Sequence, residues 1–254
     1  MFSVLHFGGG TNSTAMIVGF VERGIRPDII LFVDTCAEKP HTYEHMNAVN
    51  EYLEKHGYPK IKRLKRKVKS KFSNETLEQE CLRRKCLPSL AYGWKTCSQK
   101  YKVEPQDKYI RSHEKAKAVW ADGGKVIKYI GFDAGEMRRS IGSQSKCGKF
   151  RLEYPLIEWV WDRDECKAQI KKAGLPQPGK SSCFFCPATR KVEILELRQT
   201  YPELLERAIA MEANAENLKS TKGLGRRFSW QDFLKAEDKT MFADVESIPC
   251  ICVD

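Results

Sequence analysis

Long apolar runs are missing from this sequence, and no stretch of 18 consecutive apolar residues occurs, which excludes a membrane-spanning helix. The first eight residues also lack the basic start and the long apolar stretch of a signal peptide, so we expect a cytoplasmic protein without a membrane partner. Internal repeats and low-complexity tracts are absent as well, and the chain therefore has the character of an ordinary globular protein.

Cysteine, by contrast, is abundant, with ten residues in 254. Because disulfides are rare in a reducing cytosol, closely spaced cysteines predict metal, cluster or redox sites. A chain with 41% hydrophobic and 30% charged residues can bury its own core, and its length corresponds to one or two domains.

Positive charge is concentrated in one part of the chain. Residues 60–128 carry 20 basic and 7 acidic side chains, which accounts for the formal net charge of +11. Eight basic residues fall within residues 60–71 alone. This segment predicts salt-sensitive contact with a nucleic-acid backbone, and a solvated strand edge is the alternative.

Short apolar runs alternate with helical patterns over the first 130 residues. Runs at 4–7, 29–33 and 126–130 predict buried strands, a wetter run at 60–64 predicts another, and helices are expected at 12–24 and 41–56. This alternation predicts an α/β fold with a mostly parallel, doubly wound sheet.

The second part of the chain has a different pattern. A helix is expected from Asp162 to Lys172 and a long helical stretch over 189–216. We therefore predict a nucleotide-binding domain at 1–159 and a helical, cysteine-bearing region at 160–254 packed on it.

A glycine-rich turn joins the first strand to the first helix, and its residues are Phe7, Gly8, Gly9, Gly10, Thr11, Asn12, Ser13 and Thr14. Glycines let several N–H groups converge, and the helix N-terminus adds partial positive charge. The turn therefore predicts a phosphate site to which Ser13 and Thr14 add hydroxyl donors. A purely structural turn is the alternative.

Asp34 ends the second strand, where ligands of open α/β sheets bind. Its carboxylate is a candidate for binding ribose, adenine or Mg²⁺. An ordinary helix cap is the alternative, which Pro40 makes less attractive because it separates Asp34 from the next helix.

Five segments, taken in order, resemble motifs of the phosphoadenosine phosphosulfate (PAPS) reductase and PP-loop ATP pyrophosphatase superfamily. The glycine-rich turn resembles the SGGxDS loop of that superfamily. The other motifs are DTGxxxPxTY, CTxxLKIxP, GxRxxES-R and PLxxW, which are similar to residues 32–43, 97–105, 131–139 and 154–159.

The resemblance implies a PP-loop fold that binds ATP or PAPS, with Mg²⁺ as a candidate. Nucleotide contacts are implied for Phe7, Gly8, Gly9, Gly10, Asn12, Ser13, Thr14, Asp34, Thr35 and Gly131. Catalytic contacts are implied for Lys102, Arg138, Arg139 and Cys97.

The chain departs from the family's pattern in two places. Gly8 and Asn12 stand where the family usually has Ser and Asp, so a carboxylate near the phosphates is missing. The Glu-Cys-Gly-x-His nucleophile of sulfite-producing reductases is also missing.

Cys183 and Cys186 form a CxxC pair, which can hold one tetrahedral ion or two corners of an iron–sulfur cluster. The resemblance places Cys97 beside this pair. Further candidate ligands are Cys250, Cys252 and Cys86. A [4Fe–4S] cluster is favoured, with structural Zn²⁺ or a dithiol redox pair as alternatives.

The sequence thus predicts an ATP-dependent, adenylating sulfur-transfer enzyme whose substrate is a nucleic acid and whose partner is a sulfur-donor or electron-donor protein. One alternative is a sulfonucleotide reductase that releases sulfite, with Cys252 as its nucleophile. The other is a nucleotide-binding protein without catalysis that keeps a zinc knuckle.

Overall fold

The computed structural model describes residues 1–67, 75–141, 148–216, 218 and 220–246, with the main chain alone for 240–246. The chain folds into two compact units. The first comprises Met1–Asn74 and Gln99–Cys183, and the second comprises Glu75–Ser98 and Phe184–Asp254. Residues 160–183 thus group with the sheet, while the domain boundary at 159/160 stays a prediction.

The first unit contains a five-stranded sheet. Its strands are β1 (Ser3–His6), β2 (Ile29–Asp34), β3 (Ile61–Lys65), β4 (Val126–Ile130) and β5 (Phe150–Glu153). The order across the sheet is β3-β2-β1-β4-β5, and every neighbouring pair is parallel. The predicted α/β class with a parallel, doubly wound sheet is confirmed.

The helices, in chain order, are α1 (Thr11–Glu22), α2 (Pro40–Lys55), α3 (Leu77–Arg83), α4 (Thr96–Ser98), α5 (Glu104–Ser112), α6 (Glu114–Ala121), α7 (Met137–Ile141), α8 (Pro155–Glu158), α9 (Arg163–Lys172), α10 (Lys191–Thr200), α11 (Pro202–Asn214) and α12 (Trp230–Glu246). Helices α3, α4 and α10 to α12 belong to the second unit, and the others belong to the first.

Successive side chains of a strand point to opposite sides of the sheet, and both sides are buried here. On β1, Leu5 joins a cluster that includes side chains of α1, α2 and α9. The preceding Val4 joins a second cluster with Ile110 of α5 and Ala116 of α6. Burial on both sides explains why these strands read as unbroken apolar runs.

The predicted strands and the first two predicted helices lie within two residues of the observed ones at each end. Strand β5 was not predicted, because its four residues alternate between apolar and charged and carry no run of their own. The helix predicted from Asp162 begins as expected, since the Asp162 carboxylate accepts hydrogen bonds from the N–H groups of Asp164 and Glu165.

The long stretch predicted over 189–216 is helical in the second unit, but it is divided into two helices. Helix α10 ends at Thr200, Tyr201 adopts a non-helical conformation, and α11 starts at Pro202. Proline lacks an N–H group and clashes with the preceding turn, so it starts a helix far more readily than it continues one.

Gly19 of α1 allows the ring of Trp159 to lie directly against the helix backbone. A Cβ at this position would approach the ring carbon Cη2 of Trp159 to 2.8 Å. The same ring packs against Phe20 and under the guanidinium of Arg23. This contact joins α1 to the segment that follows α8.

Replacing Gly19 by Ala should destabilise the protein by about 1–2 kcal/mol. Overpacking costs about 1–3 kcal/mol, and the better helix propensity of Ala returns up to about 1 kcal/mol. The measurement is urea unfolding, and Gly148→Ala is the matched control because a Cβ there meets nothing within 4 Å. Equal stability of the two variants would show that Trp159 yields freely.

Among the residues that the structure describes, no helix combines the length and the apolar character needed to cross a membrane.

Candidate functional site

The glycine loop, residues 8–13, lies where the strand order of the sheet reverses. From the central β1 the chain builds β2 and β3 on one side and later β4 and β5 on the other. The glycine loop follows β1 and Gly131 follows β4, and a Cβ on Gly131 would lie 3.2 Å from the Ser13 nitrogen. Open α/β sheets bind ligands at such switch points.

The conformation of the glycine loop requires glycine at position 9. Gly9 has a φ of +76°, and a Cβ there would lie 2.9 Å from the Thr42 methyl carbon. Gly10 then caps α1, whose first residue is Thr11. The loop therefore presents the N-terminus of a 12-residue helix, an arrangement that favours anions.

The two hydroxyl groups of the turn bind the protein itself. Ser13 Oγ and Thr14 Oγ1 each donate to the Gly10 carbonyl oxygen at 3.0 Å. Thr14 is fully buried, and its Oγ1 lies 2.9 Å from His45 Nε2. Thr14 thus supports the loop from within, whereas Ser13 also lines the cleft described next.

A cleft of about 460 Å³ lies over the glycine loop. Six of the predicted site residues line it, namely Gly8, Gly10, Asn12, Ser13, Gly131 and Arg139. Arg163 and Lys180, which were not predicted, add two further cations to its wall. Three basic side chains and a helix N-terminus in one cleft suit a polyphosphate.

The Asn12 amide is the centre of a polar network at this cleft. Its Nδ2 donates to Asp133 Oδ2 at 2.9 Å and to Glu136 Oε2 at 3.0 Å. Its Oδ1 accepts from Arg163 Nη1 at 2.9 Å. The family's Asp at this position would face two carboxylates here, so the departure to Asn has a local physical reason. The carboxylates that the glycine-rich turn lacks come from the segment after β4.

Arg139 and Arg138 have different surroundings. Arg139 pairs with Glu136 and lies over the Phe132 ring, with the guanidinium 4.3 Å from the ring centroid. Arg138 is exposed and is not among the residues that line the cleft.

A smaller cavity of about 100 Å³ adjoins the loop and is lined by His6, Phe7, Gly8 and Lys102, among others. Lys102 Nζ lies 3.0 Å from Oε1 of the buried Glu38. Burial, with the charge of Lys128 second, lowers the pKa of His6 to about 3. This imidazole is therefore neutral at physiological pH.

The pKa values of His41 and His45 of α2 are lowered for similar reasons. Burial, and after it the charge of Lys39, lowers the pKa of His41. Burial and the neighbouring His41 lower the pKa of His45.

Asp34 is buried, and its carboxylate is surrounded by donors from the protein. Oδ1 accepts from the Cys36 N–H at 2.7 Å and from the Tyr43 hydroxyl at 2.8 Å, and Oδ2 accepts from Arg63 Nε at 2.7 Å. Burial alone would raise the pKa of Asp34, but these hydrogen bonds outweigh it and hold the pKa below its ordinary value. A ligand role for Asp34 stays a prediction, and in the structure this carboxylate organises the end of β2.

Thr35 and Cys183 lie together in the first unit, with Thr35 Oγ1 3.3 Å from Cys183 Sγ. An isolated antiparallel bridge also joins Cys183 to Glu38. Cys183 therefore lies beside the residues that follow β2.

In the second unit, Cys81, Cys86 and Cys97 are close enough to interact. Burial, then the nearby Cys86 and Glu80, raises the pKa of the Cys81 thiol, which also hydrogen-bonds Cys86. The Cys97 N–H donates to Ser89 Oγ at 2.8 Å. Cys81 is thus a buried core residue that also contacts a second thiol.

No three His, Cys, Asp or Glu side chains come together as a metal site within the described residues. Two of the predicted ligands, Cys250 and Cys252, lie outside those residues. The metal-ligand set of Cys97, Cys183 and Cys186 therefore stays a prediction.

A separate basic cavity of about 630 Å³ lies at the end of β3. Its basic lining residues are Arg63, Lys65, Arg66, Lys67, Lys100 and Lys108, against a single acidic one, Glu104. Residues 60–67 of the predicted nucleic-acid segment are described, and residues 68–71 lie outside the described residues. The cavity thus combines the basic run with side chains of α5 and with Lys100 of the π-helical segment Gln99–Val103 that precedes it.

Sequence reasoning missed Asp133, Glu136, Arg163 and Lys180 at the cleft. The two acidic residues lie inside the segment that resembles GxRxxES-R, so they were within reach of the motif. Arg163 and Lys180 belong to no motif, and only the folded chain brings them to the loop.

Comparison with known proteins gives limited similarity. No family model matches the chain. An uncharacterised protein of Methanocaldococcus jannaschii is 24% identical over 212 residues, which is 79% of this chain and 45% of that protein. The chain therefore spans less than half the length of this curated relative.

Two solved structures match the chain with low TM-scores. A PAPS reductase from Candida auris, in a phosphate complex, matches 70% of this chain and 75% of its own, with a TM-score of 0.42 and 18% identity. The U34-tRNA thiolase NcsA from Methanococcus maripaludis, with its [4Fe–4S] cluster, matches 100% of this chain and 76% of its own, with a TM-score of 0.43 and 14% identity.

The resemblance to the PAPS reductase-like, PP-loop superfamily rests on the sequence motifs. With identities below 20% and TM-scores below 0.5, the two solved structures carry no conclusion about which superfamily this chain belongs to or about what it binds or does.

Asn12→Asp should destabilise the protein by about 2 kcal/mol at pH 7, because it replaces a shared donor with a third carboxylate. The neighbouring charges raise the folded-state pKa of the new carboxyl above its unfolded value. The loss should therefore shrink as the pH falls to about 4 and the carboxyl regains a proton to donate.

Asn50→Asp is the matched control, since Asn50 Oδ1 accepts from the Ile61 N–H and an aspartate oxygen can do the same. Urea unfolding at both pH values measures the effect. A stable Asn12→Asp variant whose stability follows the control at every pH would contradict the network.

Proposed function

We propose that this protein is a nucleotide-dependent sulfur-transfer enzyme that binds an adenine nucleotide with its phosphates over the glycine loop. The observation that carries the proposal is the cleft at the strand-order reversal, where the N-terminus of α1 meets Arg139, Arg163 and Lys180. Helix N-termini and convergent basic side chains are the groups that bind polyphosphates.

The chemistry follows from holding the α-phosphate at this cleft. A substrate oxygen attacks the α-phosphorus of ATP, the bond to pyrophosphate breaks, and the substrate becomes adenylated. A hydrosulfide then attacks the substrate carbon that bears this oxygen. The C–S bond forms, the C–O bond breaks, and AMP leaves with the oxygen. The protein contributes by neutralising phosphate charge and by holding the reactants in line.

Mg²⁺ is expected to accompany the nucleotide, and Asp133 and Glu136 are the carboxylates beside Asn12 that could contribute to its binding. Such ions are usually held by one or two carboxylates together with phosphate oxygens. Asp133 and Glu136 would thus supply the carboxylate that the family's Asp usually provides at position 12.

Cys183 and Cys186, with Cys97 and one of Cys250, Cys252 or Cys86, are proposed to bind a [4Fe–4S] cluster, with Zn²⁺ as the alternative. Since the described residues assemble no group of three metal-binding side chains, no reaction step is assigned to the metal.

Gly9→Ala should weaken ATP binding at least tenfold, since a Cβ there strains the backbone and meets Thr42. Arg139→Ala, a change at an exposed side chain, should weaken binding about tenfold through loss of phosphate contact. Isothermal titration calorimetry measures both affinities, and a pyrophosphate-release assay with candidate substrates measures turnover.

Gly24→Ala is the matched control, because Gly24 also has a positive φ, of +65°, but a Cβ there meets nothing within 4 Å. Unchanged ATP affinity in both site variants would exclude the glycine loop as the nucleotide site. Tight binding of PAPS with thioredoxin-dependent sulfite release would instead establish the sulfonucleotide reductase alternative.

The basic cavity supports a nucleic-acid substrate. Its six basic side chains are accompanied by Tyr109 and Ser112, and Tyr109 also lies under the Lys62 ammonium at 4.8 Å. Arg66 lies over the Tyr101 ring in the same part of the unit. In nucleic-acid-binding proteins, basic side chains contact the phosphates and aromatic rings stack on the bases, and this cavity offers both kinds of side chain.

Replacing Lys67 and Lys108 by Ala should weaken nucleic-acid binding and lower the slope of log affinity against log salt by about 2, roughly one unit per lost phosphate contact. Fluorescence anisotropy with labelled RNA and DNA between 50 and 200 mM salt, roughly the range in which such contacts weaken, measures the slope. Ala at Lys125 and Lys171, exposed lysines outside the cavity, is the charge-matched control. If the affinity for nucleic acid does not depend on salt concentration, or if the two double variants give equal slopes, the basic cavity is not a nucleic-acid site.

A further inference from the structure

A short segment of the first unit, residues 179–183, runs beside the glycine loop. Ser181 Oγ donates a hydrogen bond to the Gly8 carbonyl oxygen. One residue earlier, the Lys180 carbonyl oxygen lies 3.4 Å from His41 Nε2. Two successive residues are therefore tied to the loop and to α2.

The close approach of this segment is built into the sequence by two glycines. A Cβ on Gly179 would lie 2.6 Å from His41 Nε2, and a Cβ on Gly9 would lie 3.2 Å from Ser181 Oγ. A side chain at position 179 would displace the segment or the His41 ring of α2, and a side chain at position 9 would push the loop away from Ser181. The segment therefore packs closely against both α2 and the glycine loop.

The segment also forms part of the wall of the nucleotide cleft. Gly179, Lys180 and Ser181 line the cleft together with the loop residues Gly8 and Gly10. Lys180 brings an ammonium group to a cleft that already contains two arginines and a helix N-terminus. An ammonium at this place can act as a point charge toward a phosphate chain.

The same segment ends at the first thiol of the CxxC pair. Cys183 is three residues after Lys180, so the two Cα atoms are at most about 11 Å apart along an extended chain. Cys183 is itself fixed by the 3.3 Å contact of its Sγ with Thr35 Oγ1 and by its bridge to Glu38. One short stretch of chain thus touches both the glycine loop and the end of β2.

We propose that residues 179–181 are part of the nucleotide site, with Lys180 contacting the phosphate chain, and that phosphate binding thereby adds a further restraint on the segment that ends at Cys183. This inference rests on the proposed function, since it needs a nucleotide at the glycine loop. It adds a binding residue that no motif contains and a direct physical link between the nucleotide and a thiol.

Calorimetry with Lys180→Ala tests the phosphate contact. Affinity for ATP and for inorganic pyrophosphate should fall about tenfold, whereas affinity for adenosine should be unchanged because adenosine carries no phosphate. Lys171→Ala, which removes an exposed lysine outside the cleft, is the control and should bind all three ligands as the unaltered protein does.

Hydrogen exchange tests the link to Cys183. ATP should slow exchange of the amides of residues 179–183 in the full-length protein, and Ser181→Ala should reduce that protection. If ATP binds, but Lys180→Ala matches the control and exchange of 179–183 ignores ATP, the inference is overturned and the proposed function stands. If the unaltered protein binds no ATP, the proposed function fails and the inference fails with it.

Discussion

The pairing of β1 with parallel strands on both of its sides is the constraint on which the rest of the structure depends. His6 at its end pairs with Leu31 of β2 and Ile130 of β4, so the chain leaves the middle of the sheet at this point. The chain continues to β2 and β3 on one side of β1 and to β4 and β5 on the other, and the glycine loop lies at the end of β1 between these two halves of the sheet. The glycine loop follows β1 and Gly131 follows β4, so both lie at the junction of these halves.

Polar groups inside the first unit are stabilised by partners that come from distant parts of the chain. Asp34 is held by Arg63 and Tyr43, and Asn12 by residues more than 120 positions later. Lys128, buried on β4, pairs with Asp107 and lies over Phe150 at 3.7 Å. A buried polar group without such partners is expensive, so these contacts fix how the strand ends and the helices meet.

What could be predicted from the sequence follows the same physical division. Strands such as β2 and β4 are buried on both faces and therefore appear as apolar runs, and the glycine-rich turn appears as a cluster of one residue type. Strand β5 has four residues and one buried end, and Lys180 reaches the cleft only through tertiary contacts, so neither leaves a local signal. The break before Pro202 was readable, but helical periodicity on both sides of it concealed the interruption.

The low pKa values of the histidines near the loop have a consequence for ligand ionisation. Burial lowers the pKa of His6, His41 and His45, and for His6 it lies at about 3, so the His6 imidazole does not change charge as the pH passes through neutrality. A terminal phosphate, by contrast, gains its second negative charge near pH 6, about the value for phosphate monoesters. Between mildly acidic and neutral pH, the charge of the His6 imidazole therefore stays constant while the charge of a bound terminal phosphate changes.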